Sequence, residues 1–178
     1  MKKIVHPNTF ARDLRAFFAE YVPLTRGLSP NTLLSYRDAF KLLLRFLEAH
    51  CGHSIVELDF AHVTPDAVIA FLDYLETERH NGASTRNARL AAIHSFARFS
   101  ASRHPEHLEQ CQRLLAIPTK RARTKVIEYL EGQEVGAMLD SIDRTTADGR
   151  RDHTMIVTFF NSGARVQECL DTRPADLQ

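Results

Sequence analysis

No apolar run in this sequence is long enough to cross a bilayer. The richest, LLSYRDAFKLLLRFL, is interrupted by Arg37, Asp38, Lys41 and Arg45. The opening MKKIVHPNTFARD has basic residues but no apolar stretch behind them, so it does not read as a secretory signal. Cysteine is scarce. Cys51, Cys111 and Cys169 are widely spaced, with no CxxC, and an odd count without an export signal reads as buried, reduced thiols in a cytoplasmic protein. Charge of one sign is not in excess: 23 Lys+Arg oppose 22 Asp+Glu, a formal net of +1, so nucleic-acid binding has to be argued from where the charges sit. A Gly-rich phosphate loop, a Ser/His/Asp arrangement, internal repeats and low-complexity tracts are also missing.

What is present suits a soluble globular chain. An apolar share of 44% with 25% charged residues argues against wholesale disorder, and 178 residues suit one or two domains. Helical periodicity dominates. A first helix is expected over about Thr9 to Val22, with Phe10, Leu14, Phe17, Phe18 and Tyr21 on one face. Ser29 and Pro30 then supply an N-cap and a first-turn proline for a second helix that runs to about His50 and stops at Gly52. A third begins at Thr64-Pro65 and reaches about Arg79 before an Asn81-Gly82 turn. A fourth, capped by Ser84, runs to about Arg103, and the short amphipathic EHLEQCQRLLAI follows.

The texture then changes. PTKRARTK carries Lys120, Arg121, Arg123 and Lys125 with no acid, and reads as a basic extended linker. Beyond it, helices are expected over Glu131 to Ile142 and Arg151 to Asn161, separated by an Asp148-Gly149 turn, with Gly163 ending the second. Only the stretch around Val126 and Ile127 suggests a strand. The expected architecture is mainly α: a four- to five-helix bundle over 1–117, a basic linker over 118–127, and a second, mostly helical part over 128–178.

Two helices have divided faces. On the second, Leu33, Tyr36, Phe40, Leu43, Leu44 and Leu47 form a core stripe. Asn31, Ser35, Asp38, Lys41 and Arg45 lie opposite, with Leu34 and Leu42 among them. On the fourth, Leu90, Ile93, Phe96, Ala97 and Phe99 form the core side. Asn87, Ala91, His94, Ser95 and Arg98 form the other, and Arg86 and Arg89 flank the stripe as outward-snorkelling cations. Such faces can lie against a DNA groove, through amide and guanidinium bonds to base edges or phosphates, or can simply be solvated. The linker cations can follow a phosphate backbone or merely keep a tether soluble. His50-Cys51-Gly52-His53 and His104, His107, Cys111 lack paired metal-ligand spacing and a fourth ligand, so both sets read as structural.

The order of these parts resembles the tyrosine recombinases, the phage-integrase-like family. LSPNTLLSYRDAFKLLLRFL looks like the opening of that family's core-binding (SAM-like) domain, and GASTRNARLAAIHSFARF looks like its last long helix. RRDHTMIVTFFNSGARVQECLDTRPADL is similar to its first catalytic box, with Gly163, Arg165, Val166, Glu168, Leu170, Asp176 and Leu177 on the pattern. The resemblance implies a core-binding bundle followed by the start of a catalytic domain. Arg165 would be the first catalytic arginine, a guanidinium able to offset charge on a phosphate in the transition state, with Glu168 orienting it.

The resemblance also implies double-stranded DNA and other recombinase protomers as partners. Asn31, Ser35, Lys41, Arg45, Arg86, Asn87, His94, Arg98, Lys120, Arg121, Arg123 and Lys125 would face the duplex. No metal is expected, because the cations are side chains, and no cofactor, membrane or small-molecule substrate is expected either. The family's nucleophilic tyrosine follows the first arginine, whereas Tyr21, Tyr36, Tyr74 and Tyr129 all precede Arg165. The chain alone is therefore expected to be catalytically incomplete. The rival reading is a helical protein-interaction module.

Overall fold

The computed structural model describes residues 8–122, 129–173 and 175. The chain divides into two units, Met1–Arg123 and Thr124–Gln178. The possible strand at Val126 and Ile127, the linker cations Arg123 and Lys125, and Asp176 and Leu177 lie outside the described residues, as does the Cys51 side chain.

The first unit is a bundle of five helices: α1 (Thr9–Ala16), α2 (Pro30–Cys51), α3 (Pro65–Thr77), α4 (Ala83–Arg103) and α5 (Leu108–Leu115). Their starts follow from side-chain caps. Asn8 accepts from the Ala11 amide at 2.8 Å, Ser29 from Thr32 at 3.2 Å, and Thr64 from Ala67 at 3.1 Å. Each satisfies an amide that has no partner inside the helix. Gly52, at φ 70°, ends α2.

Two boundaries differ from expectation. The first helix does not stop at Val22. After Ala16 it widens into a π-helical segment over Phe17–Thr25, where the Arg26 amide reaches the Tyr21 carbonyl at 2.8 Å. Pro23 has no N–H to offer the carbonyl four residues back, which favours the looser turn over a continued α-helix. The fourth helix starts at Ala83 with Gly82 as its N-cap, so Ser84 lies inside it. In the preceding turn the left-handed residue is His80 (φ 53°), and Gly82 is extended.

One continuous core spans Phe10 to Ile117. The expected stripes supply much of it: Phe40, Leu43 and Leu47 from α2, and Leu90, Ile93, Phe96, Ala97 and Phe99 from α4. Leu33, Tyr36 and Leu44 are only partly buried against it. The core also takes Ala39 and Phe46 from α2, and Val68, Phe71, Leu72 and Leu75 from α3. At about 1.5–3 kcal/mol per large apolar side chain, this burial is the main force holding the bundle together. α4 is its axis, packing on α2, α3 and α5. Because α5 covers what would otherwise be its open side, Ser95 is buried and His94 half-buried, rather than lying on an exposed face.

A chain ending after Ile117 is expected to keep a helical far-ultraviolet spectrum and a cooperative melt, because the whole core lies within it. It loses the polar ties from Arg86 and Asn87 to the Pro118 and Lys120 backbone, at about 1 kcal/mol each. A random-coil spectrum would place part of the core beyond Ile117.

The second unit comprises α6 (Gly132–Asp140), α7 (Ala147–Ser162) and α8 (Val166–Asp171). Asp148 and Gly149 are not a turn. The turn lies earlier, at Asp143–Thr146, and α7 starts at Ala147 because Thr146 caps it, accepting from the Gly149 amide at 3.0 Å. A Cβ on Gly149 would sit 1.8 Å from the Asp143 carbonyl oxygen, so this close approach requires glycine. Gly163, at φ 63°, ends α7 in the left-handed conformation that glycine adopts without strain. Among the described residues of this unit, Val135 is the one buried apolar side chain.

Candidate nucleic-acid interface

The outward side of α2 carries Asn31, Lys41 and Arg45 exposed and Ser35 half-buried. Lys41 lies 3.7 Å from Asp38, an exposed pair that leaves the ammonium open to solvent. Leu34 stands on the same side, 57% exposed. Ser35 is tied through its carbonyl, which accepts from Arg89 Nη1 at 2.8 Å. Arg89 therefore bridges α4 to α2 instead of snorkelling outward.

Arg86 also departs from expectation. It is 5% exposed, with Nε 3.6 Å from Glu76 Oε2 on α3. A guanidinium cannot shed its charge, so burial requires a carboxylate partner. Asn87 points to the chain leaving the bundle: its amide donates to the Lys120 carbonyl at 2.6 Å, and its Oδ1 accepts the Lys120 amide at 3.0 Å. Lys120 Nζ lies 2.5 Å from Glu76 Oε2. Arg98 and Arg121 are exposed. Of the twelve cationic, amide, hydroxyl and imidazole positions expected to face a duplex, Arg86, Asn87 and Lys120 thus converge on one network around Glu76. Glu76 was not singled out from the sequence, because it is 44 positions from Lys120 and only folding brings the two together.

His94 is held below its ordinary pKa of 6.5, first by burial and then by the charge of Arg98, while a hydrogen bond to the Leu114 backbone works the other way. The unfolded chain therefore takes up this proton more readily than the folded one, and stability falls as pH drops below 6.5. Between about pH 7.5 and 5.5, the Tm of the wild type is expected to fall more steeply than that of His94→Gln. Parallel curves in calorimetry would remove His94 as a source of acid sensitivity.

Three other histidines have local structural roles. His50 stacks on Phe46 at 3.9 Å between ring centroids and contacts the Phe46 carbonyl through Nδ1 at 2.8 Å; His107 stacks on Phe60 at 4.6 Å. His104 sits 2.6 Å from Asp13 and 3.0 Å from Glu106, linking α1 to the end of α4. Cys111 is buried, and burial raises its thiol pKa; Cys169 is half-buried, not buried as expected. Among the described residues no group of three or more His, Cys, Asp or Glu side chains could hold a metal ion, and no helix is long and apolar enough to cross a membrane.

In the second unit, Arg165 is the N-cap of α8. Its amide donates to Glu168 Oε2 at 2.8 Å, and its Nη1 donates to Oε1 at 2.9 Å. The Arg165 amide, then its guanidinium, lowers the Glu168 pKa, so the carboxylate stays ionised at neutral pH. The Arg165 side chain is 86% exposed. The arrangement fixes a guanidinium at a tight turn, where it can meet an anion from solution.

The family model for the phage integrase N-terminal SAM-like domain matches residues 11–104. The chain is 40% identical over 164 residues to the putative integrase/recombinase y4rC of Sinorhizobium fredii, covering 92% of this chain and 49% of that protein. It is 38% identical to y4rD of the same organism, covering 93% of this chain and 59% of that one. To the tyrosine recombinase XerD of Staphylococcus saprophyticus it is 30% identical, covering 90% of this chain and 51% of that protein. No solved structure matches. The chain spans about half the length of the curated relatives it matches. With a helical bundle over the matched residues, and integrases and recombinases aligned along nearly all of it, the chain belongs to the phage integrase family of tyrosine recombinases.

Proposed function

We propose that this chain binds double-stranded DNA as part of a tyrosine recombinase, in DNA integration and site-specific recombination. The observation that carries the reading is the open side of α2, where Asn31, Lys41 and Arg45 stand exposed on the unit that matches the family. These side chains suit phosphates and base edges. Arg98 on α4 and Arg121 past α5 are further exposed cations, and Arg123 and Lys125 follow Arg121 in the sequence. Arg86 and Asn87 act indirectly, by holding the start of the linker. Arg165 is the first catalytic arginine, aimed at a scissile phosphate, and Glu168 orients it. Other protomers of the recombinase are the natural protein partners.

The test is a titration of duplex DNA at several salt concentrations. Affinity is expected to fall steeply as salt rises, because cations that meet phosphates release counterions. Changing Lys120, Arg121, Arg123 and Lys125 together to Gln should weaken binding to every duplex alike and flatten the salt slope by roughly 0.9 for each phosphate no longer neutralised. A changed preference between sequences at unchanged affinity would mean that these residues read bases.

Leu34 favours a second reading. A large apolar side chain, 57% exposed on the same face, suits a protein partner. Binding to a protein that persists at high salt, with no shift on duplex DNA, would select that alternative.

A further inference from the structure

Glu76 lies on α3, and one of its oxygens meets two cations. Oε2 is 2.5 Å from Lys120 Nζ and 3.6 Å from Arg86 Nε. The two pairs are unlike. Arg86 has a side chain 6% exposed and cannot lose its charge, so its carboxylate is structurally required. Lys120 has a side chain 50% exposed, and an ion pair that open to water holds weakly. The Lys120 backbone is held separately, by the two hydrogen bonds to Asn87. The residue thus has a fixed backbone and an ammonium on a weak tether.

We propose that Glu76 is a built-in competitor for the phosphate backbone: it holds the Lys120 ammonium in the DNA-free protein and yields it to a phosphate when duplex binds. This rests on the DNA-binding reading above. A phosphate and a carboxylate offer the ammonium the same kind of anionic oxygen acceptor. When Lys120 turns outward, Glu76 is not stranded, because Arg86 still compensates its charge. The Asn87 clamp keeps the swing local, so little chain entropy is lost on binding. The cost of parting the Lys120–Glu76 pair is subtracted from every duplex equally, which tempers affinity without touching sequence choice.

The experiment compares the 178-residue protein with Glu76→Gln, whose amide oxygen can still accept from Arg86, with Lys120→Gln and with the double variant, each checked for its fold by circular dichroism. Should Glu76→Gln not fold, the wild type decides, because a tethered Lys120 must acetylate more slowly than the exposed Lys41 and an equal rate overturns the proposal. In the absence of DNA, limited acetylation followed by mass spectrometry reads how freely the Lys120 amine reacts. Glu76→Gln is expected to speed acetylation at Lys120, and not at Lys41, by about two- to fivefold, the equivalent of an exposed ion pair. With duplex, Glu76→Gln is expected to tighten binding by a similar factor, and Lys120→Gln is expected to abolish that gain. Unchanged acetylation overturns the proposal. So does a gain in affinity that persists in the double variant, which would be a general charge effect. Loss of duplex binding in every protein, wild type included, instead sinks the DNA reading and removes the phosphate as competitor, while acetylation still reports whether Glu76 holds Lys120. Asn87→Ala is a second handle: it removes both clamp bonds, should speed hydrogen exchange at the Lys120 amide by about fivefold or more, and should leave acetylation slow. Fast acetylation in this variant would mean that the clamp and the tether are one device, against the proposal.

Discussion

Phe17→Ala is expected to remove a large fraction of the first unit's stability. Phe17 is fully buried where the π-helical segment meets α2 and α4. Its ring stacks against Tyr21 and Tyr36 at 5.7 and 6.4 Å, and meets Phe96 edge-on at 5.3 Å. Phe18, Phe40 and Phe99 complete its surround. Truncating a buried Phe to Ala costs about 3–5 kcal/mol through lost burial and the cavity left behind. A domain of this size has about 5–15 kcal/mol in total. The expected fall in Tm is roughly 15–25 °C, read by circular dichroism or calorimetry. Phe17→Leu, which refills most of the volume, should recover the greater part of it. A fall under about 5 °C for the alanine variant would mean that the aromatic cluster relaxes into the gap.

Hydrogen exchange is expected to separate the two units by orders of magnitude. Amides in the middle of α2 and α4 should exchange close to the global unfolding limit, since these helices are sealed by the continuous core. Amides from α6 onward should exchange far faster. Val135 is buried there, but Met138, Met155, Phe160, Val166 and Leu170 are all more than 40% exposed. Each large apolar side chain left in water forgoes about 1.5–3 kcal/mol of burial, and a short isolated helix is marginal without packing. Association would slow exchange in this unit alone, so the measurement is paired with sedimentation at two protein concentrations. Equal protection of both units in a monomer would overturn the expectation.

Much of this was readable from local chemistry. Ser29-Pro30 and Gly52 bracket α2, Thr64-Pro65 opens α3, and Gly163 closes α7, each through a capping or backbone preference confined to a few neighbouring residues. The α4 stripe was likewise legible, because its five expected core residues repeat at helical spacing and all are buried. The misplaced boundaries also have local causes. The first helix, expected to stop at about Val22, runs on through Pro23 because the chain accommodates the proline by widening the turn. Asp148-Gly149 reads as a turn, but a threonine two residues before Asp148 caps the helix first, and the glycine serves a close approach.

The sequence by itself determined the mainly helical class, the core stripes, the family and the Arg165–Glu168 pair. These depend on order and spacing along the chain, and the pair is only three residues apart. Tertiary structure alone decided which cations are free. Arg86, Arg89 and Lys120 look alike in sequence. Yet one is buried on Glu76, one bridges to the Ser35 carbonyl, and one is tethered half-exposed to the carboxylate that Arg86 shares. Periodicity tells which side of a helix is apolar, but not whether another helix will cover the polar side. Here α5 covers part of it, turning His94 and Ser95 inward while Ala91 and Arg98 stay exposed. A charge takes its role from the nearest opposite charge in space, and for Lys120 that partner is 44 residues away along the chain.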